Sequence, residues 1–258
     1  MGAPAVERPY NKIKIPHNHG QPPQIALGIS ALNVQNQRDI RLGVKARDIN
    51  AASFVIDTNA LGGTLLYSAT PTWFDNRNGQ SEFQVGIFKT KQNGQSSQNI
   101  TFDQPFDSTP EIVVWLNKFY ITSNERMTVK AHASNLGPGG FTINYSVPDG
   151  STLHSGAASW IAYPSTRPNT ASGSFPVRPL EGQGQLPEQM AREEPLPPAF
   201  PQERQVLVGV NELEFDNGQP MRFKAFASEG EEGGLRLNFH TFGGSVCYRA
   251  QVAYLALG

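Results

Sequence analysis

Apolar and polar residues alternate with a period of two over much of the chain. Ile112, Val114 and Leu116 alternate with Val113, Trp115 and Asn117, and Phe141, Ile143 and Tyr145 with Thr142, Asn144 and Ser146. Such alternation predicts antiparallel strands with one face on a core. Pro148-Asp149-Gly150 is a strong turn signal between two such runs. Runs rich in strong helix formers are nearly absent. Glu188–Glu194 is the one modest helix candidate, and it sits among prolines.

The pattern repeats three times. Pro23–Leu32 (PQIALGISAL), Pro110–Phe119 (PEIVVWLNKF) and Arg204–Leu213 (RQVLVGVNEL) open equivalent stretches. A separation of 87 residues relates Pro23 to Pro110, Phe54 to Phe141 and Trp73 to Trp160. One of 94 relates Ile112 to Val206, Phe141 to Leu235 and Trp160 to Tyr254. Four consecutive strands thus keep register without a gap, which marks a tandem array. Asn99–Phe102 adds a strand upstream, matched by Lys12–Ile15; Phe83–Gly86 and Phe175–Val177 supply a further first strand to copies two and three. Copy one lacks it. About six short strands per copy predict an all-β chain of three antiparallel two-sheet sandwiches. The boundaries read as 1–75, 76–164 and 165–258. Asp75–Ser81 and Pro164–Ser174 serve as linkers, and Arg178–Pro201 reads as a long loop in copy three. Trp73, Trp160 and Tyr254 close the last apolar strand of each copy and are core candidates. Trp115 is a candidate for core or module interface.

Composition narrows the function. The 258 residues carry 21 basic and 22 acidic side chains, a balance that gives no electrostatic case for nucleic acid or an anionic membrane surface. No apolar run approaches the roughly 20 residues of a spanning helix, and the first residues lack the apolar core of a signal peptide. Cys247 is the single cysteine, so neither an intrachain disulfide nor a cysteine-based zinc site is available. A cytoplasmic or non-classically secreted protein is expected. The histidines lack metal-ligand spacing, no metal or other cofactor is expected, and no nucleophile elbow, phosphate loop or carboxylate pair argues for an enzyme. The sequons at Asn99 and Asn144 fall on expected strands.

Asn99-Ile-Thr-Phe102, Phe106, Pro110, Gly140-Phe141 and Ser159-Trp160-Ile161-Ala162 form a frame that resembles the H-type lectin domain of snail agglutinins and slime-mould discoidins. The resemblance spans nearly the whole chain in three copies. It implies a six-stranded Ig-like sandwich that assembles as a trimer and binds galactose or N-acetylgalactosamine at the seams between subunits. Three linked copies then suggest an intrachain pseudo-trimer, because linkage raises the effective concentration of each module for its neighbours.

The resemblance also implies a site: an Arg on the central strand, an acidic or polar residue two before it, an aromatic platform and a late Tyr. In copy one these positions hold Arg41, Asp39, Leu61 and Tyr67. In copy three they hold Arg222, Pro220, Phe242 and Tyr248. Copy two departs, with Thr128, His154 and Pro148, and Arg126 where the acid would stand. An Arg fork suits sugar hydroxyl and acetamide oxygens, a carboxylate accepts from hydroxyls, and an aromatic face packs on the apolar side of a pyranose. The candidate carbohydrate-binding residues are therefore Asp39, Arg41, Tyr67, Arg222, Phe242 and Tyr248. The plainer reading makes Arg41 and Arg222 exposed strand residues and the two tyrosines caps on a core edge. An early loop also belongs to the implied site. Lys89–Ser97 and Glu181–Gln189 occupy its place, with Glu181 the nearest acid. Each seam would mix residues of two modules, and the sequence does not say which pairs meet. The expected partners are galactose-type glycans, with module–module association within the chain. The alternatives are a non-catalytic interaction or oligomerisation array that has lost sugar binding, and the targeting region of a larger enzyme.

Overall fold

A computed structural model describes residues 11–35, 39–77, 82–90, 96–122, 125–147, 151–182, 184–197 and 200–258. Period-two alternation becomes strand wherever it was read. In Gly140–Ser146, Phe141, Ile143 and Tyr145 are buried while their neighbours are half-exposed. Copy one contributes β1 (Asn11–Pro16), β2 (Gln24–Val34), β3 (Asp39–Arg47), β4 (Ser53–Ala60) and β5 (Leu66–Asn76). Copy two contributes β6 (Gln84–Lys89), β7 (Ser96–Thr101), β8 (Glu111–Thr122), β9 (Arg126–Gly137), β10 (Gly140–Ser146) and β11 (Thr152–Tyr163). Copy three contributes β12 (Thr170–Val177), β13 (Gln189–Glu194), β14 (Gln205–Asp216), β15 (Met221–Glu229), β16 (Leu235–Thr241) and β17 (Cys247–Leu257). All pairings are antiparallel, and no α-helix occurs among the described residues. No helix there is long and apolar enough to cross a membrane.

The helix expected over Glu188–Glu194 is corrected: Gln189–Glu194 is β13, paired with β16 from Gln189↔His240 to Glu194↔Leu235. Pro187 and Pro195 leave too few residues for a stable helix, whereas the edge of β16 satisfies the backbone of an extended segment.

Each sheet is shared between copies. The strand orders are β1-β4-β3-β8-β11-β6, β12-β17-β14-β9-β10-β7 and β13-β16-β15-β2-β5. Three strands of one copy thus continue into the next copy through β3·β8, β9·β14 and β15·β2. These three pairings form a closed cycle. Within copy two, Phe102, Phe106, Phe141 and Trp160 pack at ring distances of 4.9 to 6.3 Å between the two sheets.

A second apolar cluster gathers one repeat position from all three copies: Ala26, Val113 and Leu207, with Phe74, Ile161 and Leu255. Trp115 is fully buried there and donates its indole N–H to the Ala253 carbonyl at 3.1 Å. Its repeat equivalents are Gly28 and Gly209. A Cβ on either would lie 2.7 Å from a Trp115 atom, so the single indole occupies space left by both glycines. Trp160 and Tyr254 are buried as expected; Trp73 is only half-buried, because no strand lies outside β5 among the described residues.

Candidate functional site

The seams bring together residues far apart in the chain. Beside each seam the last strand of a copy begins with a β-bulge, and the bulged position is the same in all copies. Register shifts between Leu66 and Ser68, between Leu153 and Ser155, and between Cys247 and Arg249 leave Tyr67, His154 and Tyr248 unpaired. A bulge re-aims the side chain it carries.

At the β3·β8 seam Arg41 stands opposite Tyr120 and Asp39 opposite Thr122. The guanidinium carbon of Arg41 lies 4.1 Å from the Tyr120 ring centroid, a cation–π stack. The other neighbour of Tyr120 is the His154 ring, stacked at 4.2 Å. The Thr122 hydroxyl donates to Asp39 Oδ1 at 2.7 Å and lies 2.8 Å from His154 Nε2. Arg41 Nη2 approaches Asp39 Oδ2 at 3.4 Å, while Arg41 Nε is enclosed without a hydrogen-bond partner among the described residues. Leu61, 57% exposed, begins the adjoining turn and donates its N–H to the Arg41 carbonyl.

At the β15·β2 seam Arg222 stands opposite Asn33. Its Nε donates to Asn33 Oδ1 at 3.1 Å and its Nη1 to the Gly243 carbonyl at 2.7 Å. Tyr67 is 59% exposed and donates to Gln35 Oε1 at 3.0 Å. Phe242, 42% exposed, begins the turn beside Arg222.

The β9·β14 seam differs. Thr128 is buried opposite Glu214, and Arg126 stands opposite Asp216. The Glu214 carboxylate, 1% exposed, accepts from Arg126 at 2.8 Å and meets Arg249 at 2.6 Å. Arg126 lies 3.9 Å over the Tyr248 ring, and the Tyr248 hydroxyl donates to Asp216 at 3.1 Å. Partial burial first, and the Asp216 carboxylate next, raise the Tyr248 phenol above its ordinary value, so it stays a donor. Ion pairs cross this seam.

Matches to the H-type lectin domain cover residues 12–74, 97–163 and 197–257, well over half of the chain. The chain belongs to the H-type lectin domain family. It is therefore a carbohydrate-binding lectin in general terms, built from three tandem copies of that domain. Among curated proteins and among solved structures nothing matches.

For this H-type lectin array, the six sequence candidates divide among three seams. Asp39 and Arg41 share the first with His154, a residue that the sequence marked only as a departure. Arg222 and Phe242 lie at the seam that Tyr67 flanks. Tyr248 is locked beneath Arg126. Pro148, the platform position of copy two, lies outside the described residues, as does most of the Lys89–Ser97 loop. Sequence reasoning missed Tyr120, Thr122, Asn33 and Gly62. Gly62 and Gly243 hold φ of +61° and +62°, and a Cβ on either would lie 2.3 Å from Nη1 of Arg41 or Arg222. Glycine at this turn thus makes room for the guanidinium. The signal was available: Gly62-Gly63 and Gly243-Gly244 stand at the same distance after Arg41 and Arg222.

Proposed function

We propose that the chain is a single-chain pseudo-trimer that binds galactose- or N-acetylgalactosamine-type glycans at its seams, through two ligand-competent seams and one structural seam. The observation that carries this reading is the convergence of Asp39 and Arg41 from copy one on Tyr120, Thr122 and His154 from copy two. This set offers a carboxylate acceptor, a planar cationic donor and an imidazole on one surface. A pyranose presents hydroxyls of fixed orientation to such groups.

At the β15·β2 seam, Arg222 and Asn33 supply the polar groups, with Tyr67 and Phe242 exposing aromatic faces for the apolar side of a sugar. The closed cycle of strand pairings and the Trp115 indole, set against Gly28 and Gly209, support the intrachain ring. Boundaries at 1–75, 76–164 and 165–258 fit the matched segments. The array is read as non-catalytic, and avidity comes from repeated weak sites.

The β9·β14 seam favours a second role. Its ion pairs fasten two copies together and engage Arg126 and Arg249 with Glu214. This seam works as an interaction surface within the chain.

A glycan array tests the reading. Binding to terminal galactose or N-acetylgalactosamine, inhibited by the free sugar, is expected. Uniform absence of binding overturns it, and a stable trimer of chains in sedimentation overturns the intrachain ring.

A further inference from the structure

Two of the three sheets end in a strand that the third lacks among the described residues. β6 flanks β11 and β12 flanks β17, while the outer edge of β5 carries no strand among the described residues. The two flanking strands share one pattern. Gly86 pairs with Trp160 and Phe88 with Ala158; Gly173 pairs with Tyr254 and Phe175 with Val252. Each flanking strand therefore reads Gly-x-Phe. The glycine is required by geometry. A Cβ on Gly86 would lie 2.4 Å from the Trp160 ring and one on Gly173 2.9 Å from the Tyr254 ring. The phenylalanine enters the core: Phe88 and Phe175 are buried.

The repeat register transfers this pattern to β5. Trp73 is the equivalent of Trp160 and Tyr254, and Pro71 that of Ala158 and Val252. Trp73 is half-buried where both equivalents are buried. A second observation agrees. Grooves lie at equivalent places on the three seams. Ile87 and Lys89 of β6 help wall one, and Ser172–Ser174 of β12 another. The third, of about 270 Å³, is walled by Pro71, Thr72 and Trp73 with β14 and β15, and has no flanking strand among the described residues.

We propose that the edge of β5 receives an extended segment of a partner polypeptide that carries Gly-x-Phe. The segment adds antiparallel as the sixth strand, with its glycine across Trp73 and its phenylalanine across Pro71. Strand addition gains main-chain hydrogen bonds, and pockets for alternate side chains select the sequence. A long open edge is otherwise a liability that proteins cover. A second copy of β5 is a poor occupant, because Leu66–Asn76 holds no glycine to lie over Trp73. Residues 1–10 hold no Gly-x-Phe either.

The test uses the whole chain and a synthetic peptide of residues 82–90, which contains no tryptophan. Saturable binding is expected, with a shift in Trp73 emission and new amide-exchange protection over residues 70–75. Phe88→Ala and Gly86→Val in the peptide should each weaken binding by about tenfold or more; the protein itself is unaltered, so folding is not at issue. Four results overturn the proposal. They are no saturable binding up to ~1 mM, indifference to both peptide changes, protection gained at β11 instead of β5, and a free chain whose β5 amides are already as protected as those of β11 and β17. A chain dimer joined through β5 in sedimentation overturns it as well.

Discussion

The indole of Trp115 stands where a side chain on Gly28 would have to stand: a Cβ on Gly28 would lie 2.7 Å from the Trp115 Cβ. Gly209 is held to the same constraint by the indole Cδ1. Three identical chains could not meet this way, since each would bring the same residue to the shared centre. Gly209→Ala is expected to overpack the cluster and cost about 1–3 kcal/mol. Trp115→Ala, which empties it, should cost about 3–5 kcal/mol. Urea unfolding followed by circular dichroism measures both, and a neutral Gly209→Ala would contradict the packing described.

Arg41 and His154 belong to different copies yet flank one ring. Removing either should disable the same sugar site. In an Arg222→Ala background, which removes the other proposed seam site, Arg41→Ala and His154→Ala should each weaken N-acetylgalactosamine binding about tenfold or more. The double change should do little more than either alone. Thr128→Val should leave binding unaltered, since that hydroxyl is buried and without a partner among the described residues. Titration calorimetry reads each case, and equal losses from Thr128→Val and Arg41→Ala would refute the site.

Glu214 is the counter-ion of two arginines. Glu214→Gln should lower stability by about 1.5–3 kcal/mol, the usual range for hydrogen bonds to charged groups. Sugar affinity at the other two seams should stay at the wild-type level. A thermal melt paired with a binding isotherm separates the two effects. Lost binding with unchanged stability would assign this seam to ligand instead.

Burial pushes the Cys247 thiol well above its ordinary value, and the thiol donates to the Arg249 carbonyl at 3.4 Å. Little thiolate forms, and no reagent reaches it. A thiol-reactive chromophore should label the folded chain very slowly at pH 8 and rapidly in denaturant. The labelling rate then reports opening of the β14–β17 region. Fast labelling without denaturant would place Cys247 nearer the surface than its 1% exposure indicates.

The strands were legible because two signals agreed, period-two alternation and a fixed offset between copies. β13 was not, since six residues of good helix formers carry a local preference that pairing with β16 overrides. Candidate site residues could be named from the sequence by type, but not grouped. Edge-to-edge pairing between copies is a backbone event and leaves no period in the sequence. So the sequence left open which residues meet at a seam, and the fold sets Arg41 beside His154. Trp115 was read only as a candidate for core or module interface; the structure shows its indole meeting Gly28 and Gly209.

The β15·β2 pairing, with the Arg222–Asn33 bond spanning 189 residues, also orders events in time. On a ribosome, copies one and two can join through β3·β8 as soon as β8 emerges. β2 must then wait with one edge unpaired until copy three is nearly complete. Long-range pairing of this kind is slow to form, so the joining of last copy to first is the step expected to be slowest. Until it happens the growing chain is an open arc whose β2 edge is exposed to any other strand that comes within reach.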